Sequence, residues 1–176
     1  MTFKLLLLLA LQVSVVNNPA KTLYDHIFSE SRPAERLKFI AEFESKYASA
    51  GSPKLASPEM KAQVFGFATD IYQQQYNAAK TIEYGEKTLR NDPANVHVLV
   101  LLARQYALSA SDTQRGIDDA KRALTVIEKL RKGPVGTGFT KQTWQPYLDT
   151  NQSAAQSVLD YVRSSTQRLA QTRKRP

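Results

Sequence analysis

The chain has 176 residues, with 24 basic and 16 acidic side chains, and it contains no cysteine. This length predicts one domain with at most a processed or flexible end. The lack of cysteine excludes disulfide bonds, thiolate metal sites and thiol catalysis, and the two histidines, His26 and His97, are too few for a histidine-rich metal site. The composition therefore favours a binding module over an enzyme. We expect no catalytic residue, no cofactor and no metal.

The net charge of +8 is concentrated at the C-terminal end of the chain. Residues 163–176 contain five basic residues and no acid, whereas residues 21–162 contain 18 basic and 16 acidic residues. A nucleic-acid-binding domain carries its basic residues clustered on a folded face, so we expect no nucleic-acid partner for the folded part. Residues 170–176 are predicted to form a basic flexible tail, and contact of this tail with an anionic membrane or nucleic acid is the alternative.

The first twenty residues follow the order of a secretory signal peptide. One basic residue, Lys4, precedes an uncharged run at positions 5–16, and Asn17-Asn18-Pro19-Ala20 follows. This run is shorter than the roughly 20 apolar residues that span a bilayer. We predict a signal peptide at 1–20, cleaved after Ala20, with an uncleaved membrane anchor and a buried first helix as alternatives. Export of a cysteine-free chain favours the bacterial periplasm or cell envelope, and membrane contact is expected only through this segment or the tail.

The rest of the chain shows the apolar spacing of helices and no sustained strand-like alternation. Residues 21–58 are predicted to form a degenerate N-terminal helical hairpin. Its apolar stripe consists of Leu37, Ile40, Phe43 and Tyr47. Four more helices are expected at about 58–75, 79–90, 94–110 and 112–132. Ser57 and Asp112 are their clearest N-cap candidates, and Pro58 occupies the first helical position that proline favours.

A glycine-rich stretch at 133–138 ends the fourth of these helices and begins a loop predicted at 133–143. It lacks the Lys-Ser or Lys-Thr that a phosphate-binding loop requires. C-terminal capping helices are expected at 144–169. An aromatic patch is expected to seal the last helix pair, or alternatively to anchor a partner. It consists of Phe139, Trp144 and Tyr147.

The central helices contain an internal repeat. The first helix of each unit recurs at a spacing of 34 residues, and the second helix at a spacing of 35. The first-helix pairs are Phe65 with Leu99, Ala68 with Leu102, Thr69 with Ala103, and Tyr72 with Tyr106. The second-helix pairs are Ile82 with Ile117, Gly85 with Ala120, Thr88 with Ala123, and Leu89 with Leu124. Such a period is the signature of a stacked repeat architecture.

The segment 81–93 (TIEYGEKTLRNDP) resembles the second helix and closing turn of a tetratricopeptide repeat, and 116–124 (GIDDAKRAL) resembles the same helix in a following unit. Residues 59–132 are therefore interpreted as two divergent repeats. They depart from the family pattern at Phe65 and Leu99, where a tryptophan is usual, and at Thr69 and Ala103, where a glycine is usual. The resemblance implies an all-α, right-handed α-solenoid of stacked antiparallel helical hairpins.

The resemblance also implies which side chains line the concave groove between repeats. The groove residues carried over from the family are Gln63, Gly66, Asp70, Gln73, Gln74, His97, Val100, Arg104 and Ala107. Only Arg104 among them is a strong cation, so we do not expect a dedicated carboxylate clamp. The carboxylates Glu83, Glu86, Asp118 and Asp119 are interpreted as partners of nearby cations rather than as a metal or acid–base site.

The function expected from this reading is a non-catalytic protein–protein interaction scaffold, exported to the cell envelope, that binds a protein or peptide in the concave groove. A structural accessory subunit that assembles through its C-terminal helices, with a partner or a second copy, is the alternative.

Overall fold

The computed structural model describes residues 18–49, 52, 54–109 and 112–172. Within these residues all regular structure is helical, which confirms the all-α class. The helices are α1 (Pro19–Ser29), α2 (Pro33–Phe43), α3 (Pro58–Gln74), α4 (Ala78–Asn91), α5 (Val96–Leu108), α6 (Thr113–Lys132) and α7 (Lys141–Thr172). A π-helical turn at Glu44–Ala48 continues α2. No helix of this described part is both long and apolar enough to cross a membrane.

Short polar side chains start most of these helices. Ser57 caps α3 by accepting a hydrogen bond from the backbone N–H of Met60, as the sequence predicted. Asn77 and Asn95 do the same for α4 and α5. Asp112 precedes α6 as predicted, but its side chain makes no capping hydrogen bond.

Asn18, the first described residue, is the N-cap of α1. Its side chain accepts hydrogen bonds from the backbone N–H groups of Ala20 and Lys21, and its Nδ2 donates to the carbonyl of Leu55 at 3.0 Å. Ala20 is fully buried. The predicted cleavage point after Ala20 thus falls inside α1, while residues 1–17 of the predicted signal peptide lie outside the described residues.

The C-terminal region is one helix where the sequence suggested several. α7 begins at Lys141, near the predicted end of the loop, and continues to Thr172. Pro146 lies within its second turn, where its missing N–H removes one intrahelical hydrogen bond close to the start. Residues 170–172, assigned to a flexible tail, continue α7, and residues 173–176 lie outside the described part. The start of α7 is fixed by Thr140 and Thr143, whose hydroxyls accept from each other's backbone N–H.

Consecutive helices pack in pairs, α1 with α2, α3 with α4 and α5 with α6, and α7 packs on both α5 and α6. The two largest groups of core residues are an N-terminal cluster and a C-terminal one. The N-terminal cluster lies among α1 to α4 around Ile27, Ile40, Phe43 and Val64. The C-terminal cluster joins α5, α6 and α7 through Leu99, Ala103, Ala120 and Ala155. Leu102 and Tyr106 of α5 pack with Ile82 and Leu89 of α4 and connect the two halves.

Small residues permit the helices to approach one another closely. A Cβ on Gly85 would lie 2.7 Å from a methyl of Leu102, and Ala120 and Ala123 are fully buried. The closest approach involves Gly116, where a Cβ would lie 2.7 Å from the backbone nitrogen of Ala107. The backbones of α5 and α6 therefore meet at Gly116, with no room for a side chain.

Candidate functional site

The first helices of the pairs, α1, α3 and α5, are linked side by side by polar contacts. Tyr24 Oη of α1 donates a hydrogen bond to Gln63 of α3. On the next boundary, Gln105 Nε2 of α5 donates to Gln73 Oε1 of α3 at 2.8 Å. We call the surface that runs along these three helices the α1–α3–α5 face.

A histidine–carboxylate pair crosses the middle of this face. His97 Nε2 lies 2.8 Å from Asp70 Oδ1, and both side chains are about half exposed. The hydrogen bond with Asp70 raises the pKa of the His97 imidazole above its ordinary value, and partial burial opposes that rise. Two of the predicted groove residues therefore bind each other, which leaves less of their hydrogen-bonding capacity for a partner.

The nine predicted groove residues differ widely in accessibility. Gln63, Gln74, His97 and Arg104 are exposed, and Gly66, Asp70, Gln73 and Val100 are partly buried. Val100 packs against the C-terminal core, and Ala107 is only 8% exposed. Gly66 stands out because a Cβ there would meet no atom within 4 Å. The α3 part of the face is consequently open at Gly66, whereas Val100 and Ala107 form part of the packed interior.

The face continues into an open cleft of about 340 Å³ between α5 and α7, which we call the Arg104 cleft. It is lined by Arg104, Ala107, Leu108, Ala154, Ser157, Val158 and Tyr161. Leu108 and Tyr161 are 60% and 45% exposed, so a large part of the apolar lining faces solvent. Arg104 forms no hydrogen bond or ion pair with any residue that the structure describes. The cleft thus combines an apolar wall with one unpaired cation and two hydroxyl groups.

Sequence reasoning found Arg104 and Ala107 but missed the α7 side of this cleft. Ala154, Ser157, Val158 and Tyr161 follow helical spacing and share one side of α7. The spacing is visible in the sequence, yet the prediction assigned the apolar side of this helix to a cap. Only the packing of α7 beside α5 shows that part of that side remains open.

The aromatic patch at the start of α7 contributes to the core. Phe139 lies 4.9 Å from Trp144 and 4.6 Å from Tyr147 between ring centroids. Trp144 and Tyr147 also pack on the cluster of Val96, Ile127 and Leu148. This arrangement agrees with the interpretation of the patch as a seal over the last helices.

Of the carboxylates interpreted as partners of cations, the two on α4 pair with cations as predicted, whereas Asp118 and Asp119 form no ion pair with the described residues. Glu83 pairs with Lys80 and Lys87, and Glu86 pairs with Arg115. Asp118 accepts a hydrogen bond from Gln114. Burial raises the pKa of Asp119. Within the described ranges, no three His, Cys, Asp or Glu side chains are grouped so as to hold a metal ion.

Comparison of the chain with protein-family models, with curated proteins and with solved structures found no match.

Proposed function

We propose that this chain is a non-catalytic interaction scaffold built from stacked helical hairpins of tetratricopeptide-repeat type. Support comes from contacts that recur with the sequence period. Ile82 and Leu89 of α4 pack on the cluster containing Leu102 and Tyr106 of α5. Their counterparts 35 residues later, Ile117 and Leu124, pack on the cluster containing residues of α7. A right-handed solenoid is the arrangement that such repetition favours.

The proposed function rests mainly on the Arg104 cleft. An apolar cleft next to an unpaired guanidinium suits a peptide or helix that presents an apolar side chain close to a carboxylate. The neighbouring Asp70–His97 pair is internally neutralised when His97 is protonated, so Arg104 dominates the charge of the binding surface. A partner with acidic and apolar residues is therefore preferred over a basic one.

Export to the cell envelope belongs to the same proposal. Its support is the uncharged run at 5–16 that follows Lys4. The partner is accordingly expected among envelope proteins.

The test identifies the proteins that crosslink to the epitope-tagged full-length chain in its native host, and compares the wild type with three variants. The variants are Arg104→Glu, which reverses the charge of the cleft, and Gly66→Phe, which fills the open part of α3 where a Cβ meets no neighbour. Lys129→Glu is the matched control, because it reverses an exposed cation in the second half of α6.

We expect one envelope protein to be recovered with the wild type and with Lys129→Glu, and to be lost with both face variants. Equal recovery with all four chains would reject the α1–α3–α5 face as the binding surface. Recovery of the chain alone would reject the scaffold itself. Circular dichroism of each variant confirms that the helices are retained.

A further inference from the structure

A second cleft, of about 480 Å³, lies on the α6 side of α7, and we call it the Lys121 cleft. Ile117 and Lys121 line it from α6, and Leu159, Val162 and Arg163 line it from α7. Ile117 and Leu159 are partly buried, whereas Lys121 and Arg163 are exposed. The cleft therefore has an apolar floor with basic groups at its rim, on a different side of α7 from the Arg104 cleft.

The internal repeat shows what occupies the corresponding position one unit earlier. In the register that relates Ile82 to Ile117 and Leu89 to Leu124, Glu86 of α4 corresponds to Lys121 of α6. Glu86 Oε1 accepts a hydrogen bond from Tyr106 Oη of α5 at 2.5 Å and also pairs with Arg115 of α6. Glu86 thus ties α4 to the second helix of the next pair.

Lys121 has no such partner. Its ammonium group forms no hydrogen bond or ion pair with the residues that the structure describes, and α7 packs only on helices that precede it. The charge at this position is also reversed, from a carboxylate at Glu86 to an ammonium at Lys121. Arg115 of α6 is the cation that faces Glu86 of α4. By the same repeat, a helix that faces Lys121 of α6 needs an acidic side chain at the position that corresponds to Arg115.

We propose that the Lys121 cleft binds an amphipathic helix of another protein, one that presents an acidic side chain to Lys121 and Arg163 beside an apolar stripe. Residues 1–17 and 173–176 contain no acidic side chain, so neither of these segments supplies this chemistry. A second copy docked through the same cleft brings Lys121 and Arg163 against like charges, which opposes association. Arg163 is exposed and paired only loosely with Asp160, at 3.5 Å, so it is available to an acidic partner.

This docking surface is independent of the proposed function, since it uses α6 and the opposite flank of α7. The probe is a phage-displayed library of amphipathic helices of about 20 residues, long enough to span the cleft. All members of the library share the same apolar stripe, and all remaining positions are randomised between Glu and Lys. The library is selected against the full-length chain, and the selected peptides are then synthesised for affinity measurements.

We expect the selected helices to carry Glu beside the apolar stripe and to lose at least about tenfold in affinity with Lys121→Glu. Lys121→Arg, which keeps the positive charge, should retain the affinity of the wild type, and so should Lys129→Glu. Arg104→Glu should also leave it unchanged, which separates this surface from the Arg104 cleft.

Selection of no helix, or of helices without a preference for Glu, overturns the proposal. Equal affinity for the wild type and Lys121→Glu does so as well. Sedimentation analysis tests whether a second copy of the chain occupies the cleft instead. A dimer that dissociates with Lys121→Glu would assign the cleft to a second copy and reject the acidic helix. Because Lys121 is exposed, its substitution is expected to preserve the fold, and thermal unfolding checks this point.

Discussion

Individual glycines have opposite roles in this protein. A Cβ at Gly116 would lie 2.7 Å from the Ala107 nitrogen and 2.8 Å from the Ala103 carbonyl oxygen, and neither backbone atom can move without separating α5 from α6. At Gly66 the same atom would meet nothing within 4 Å. Gly116 is thus required by packing, whereas Gly66 only weakens the helix in which it lies.

We predict that Gly116→Ala lowers the free energy of unfolding by about 1–3 kcal/mol, as overpacking does. Gly66→Ala should raise it by up to about 1 kcal/mol, because alanine is the better helix former. Urea denaturation followed by circular dichroism measures both values. Equal effects of the two substitutions would contradict the close contact of α5 and α6.

The Asp70–His97 pair predicts a pH dependence of stability. The pKa of His97 is raised in the folded protein, so its contribution is complete below the unfolded pKa and disappears as the pH rises through the folded pKa. Wild type should exceed His97→Gln in stability by less than about 1 kcal/mol near pH 5.5, since the pair is half exposed. The difference should vanish near about pH 8.5. Asp70→Asn should remove the same difference, and a constant difference across this range would show that the pair is not responsible.

At the scale of elements, α1 is held by a side chain that precedes it. Asn18 satisfies two N–H groups of the first turn and also donates to the Leu55 carbonyl before α3. It therefore both begins α1 and attaches it to the next hairpin. Ala20, two residues further along the chain, is fully buried in the N-terminal cluster.

We predict that a chain beginning at Lys21 unfolds at a lower temperature than a chain beginning at Asn18. Loss of the cap alone costs about 0.5–2 kcal/mol, and Asn18→Ala isolates that share. Differential scanning calorimetry compares the three proteins. Equal melting of both shortened chains would mean that Asn18 and Ala20 contribute little to the fold.

At the scale of the molecule, two clusters of core residues meet at the boundary of α4 and α5. The N-terminal cluster involves α1 to α4, and the other involves α5 to α7. Ile82 and Leu89, packed on Leu102 and Tyr106, join them. Where each helix pair contacts mainly its neighbours, stability is transmitted mainly between neighbouring pairs.

Truncation of a core side chain near one end of the chain should therefore affect the helices at the other end little. Leu148→Ala, at a fully buried position of α7, is expected to cost about 2–5 kcal/mol. Amide hydrogen exchange should accelerate in α6 and α7 but not in α1 and α2. Ile27→Ala should produce the reverse pattern. Uniform acceleration by either variant would indicate a single cooperative unit.

The features that the sequence predicted well are local. Ser57 and Pro58 begin α3, and the spacing of Leu37, Ile40 and Phe43 identifies α2. Helical periodicity and capping depend on residues within one or two turns, so they are readable without knowledge of the fold. The helical class and the internal repeat follow from the same local signals. The C-terminal region was predicted less accurately, since several helices were expected at 144–169 and α7 is one helix, Lys141–Thr172.

Only part of the candidate site could be predicted from the sequence, for a related reason. The family resemblance assigned Asp70, His97 and Arg104 to one groove, but it gave no indication that Asp70 and His97 bind each other while Arg104 stays unpaired. Whether a groove side chain is free depends on which flank of α7 packs beside α5, and that contact joins residues about fifty positions apart. Most helices and most of their caps could be predicted from the sequence, because helical periodicity and capping depend on near neighbours. The two clefts beside α7 and the unpaired charges in them could not, because they depend on packing between residues that are far apart in the chain.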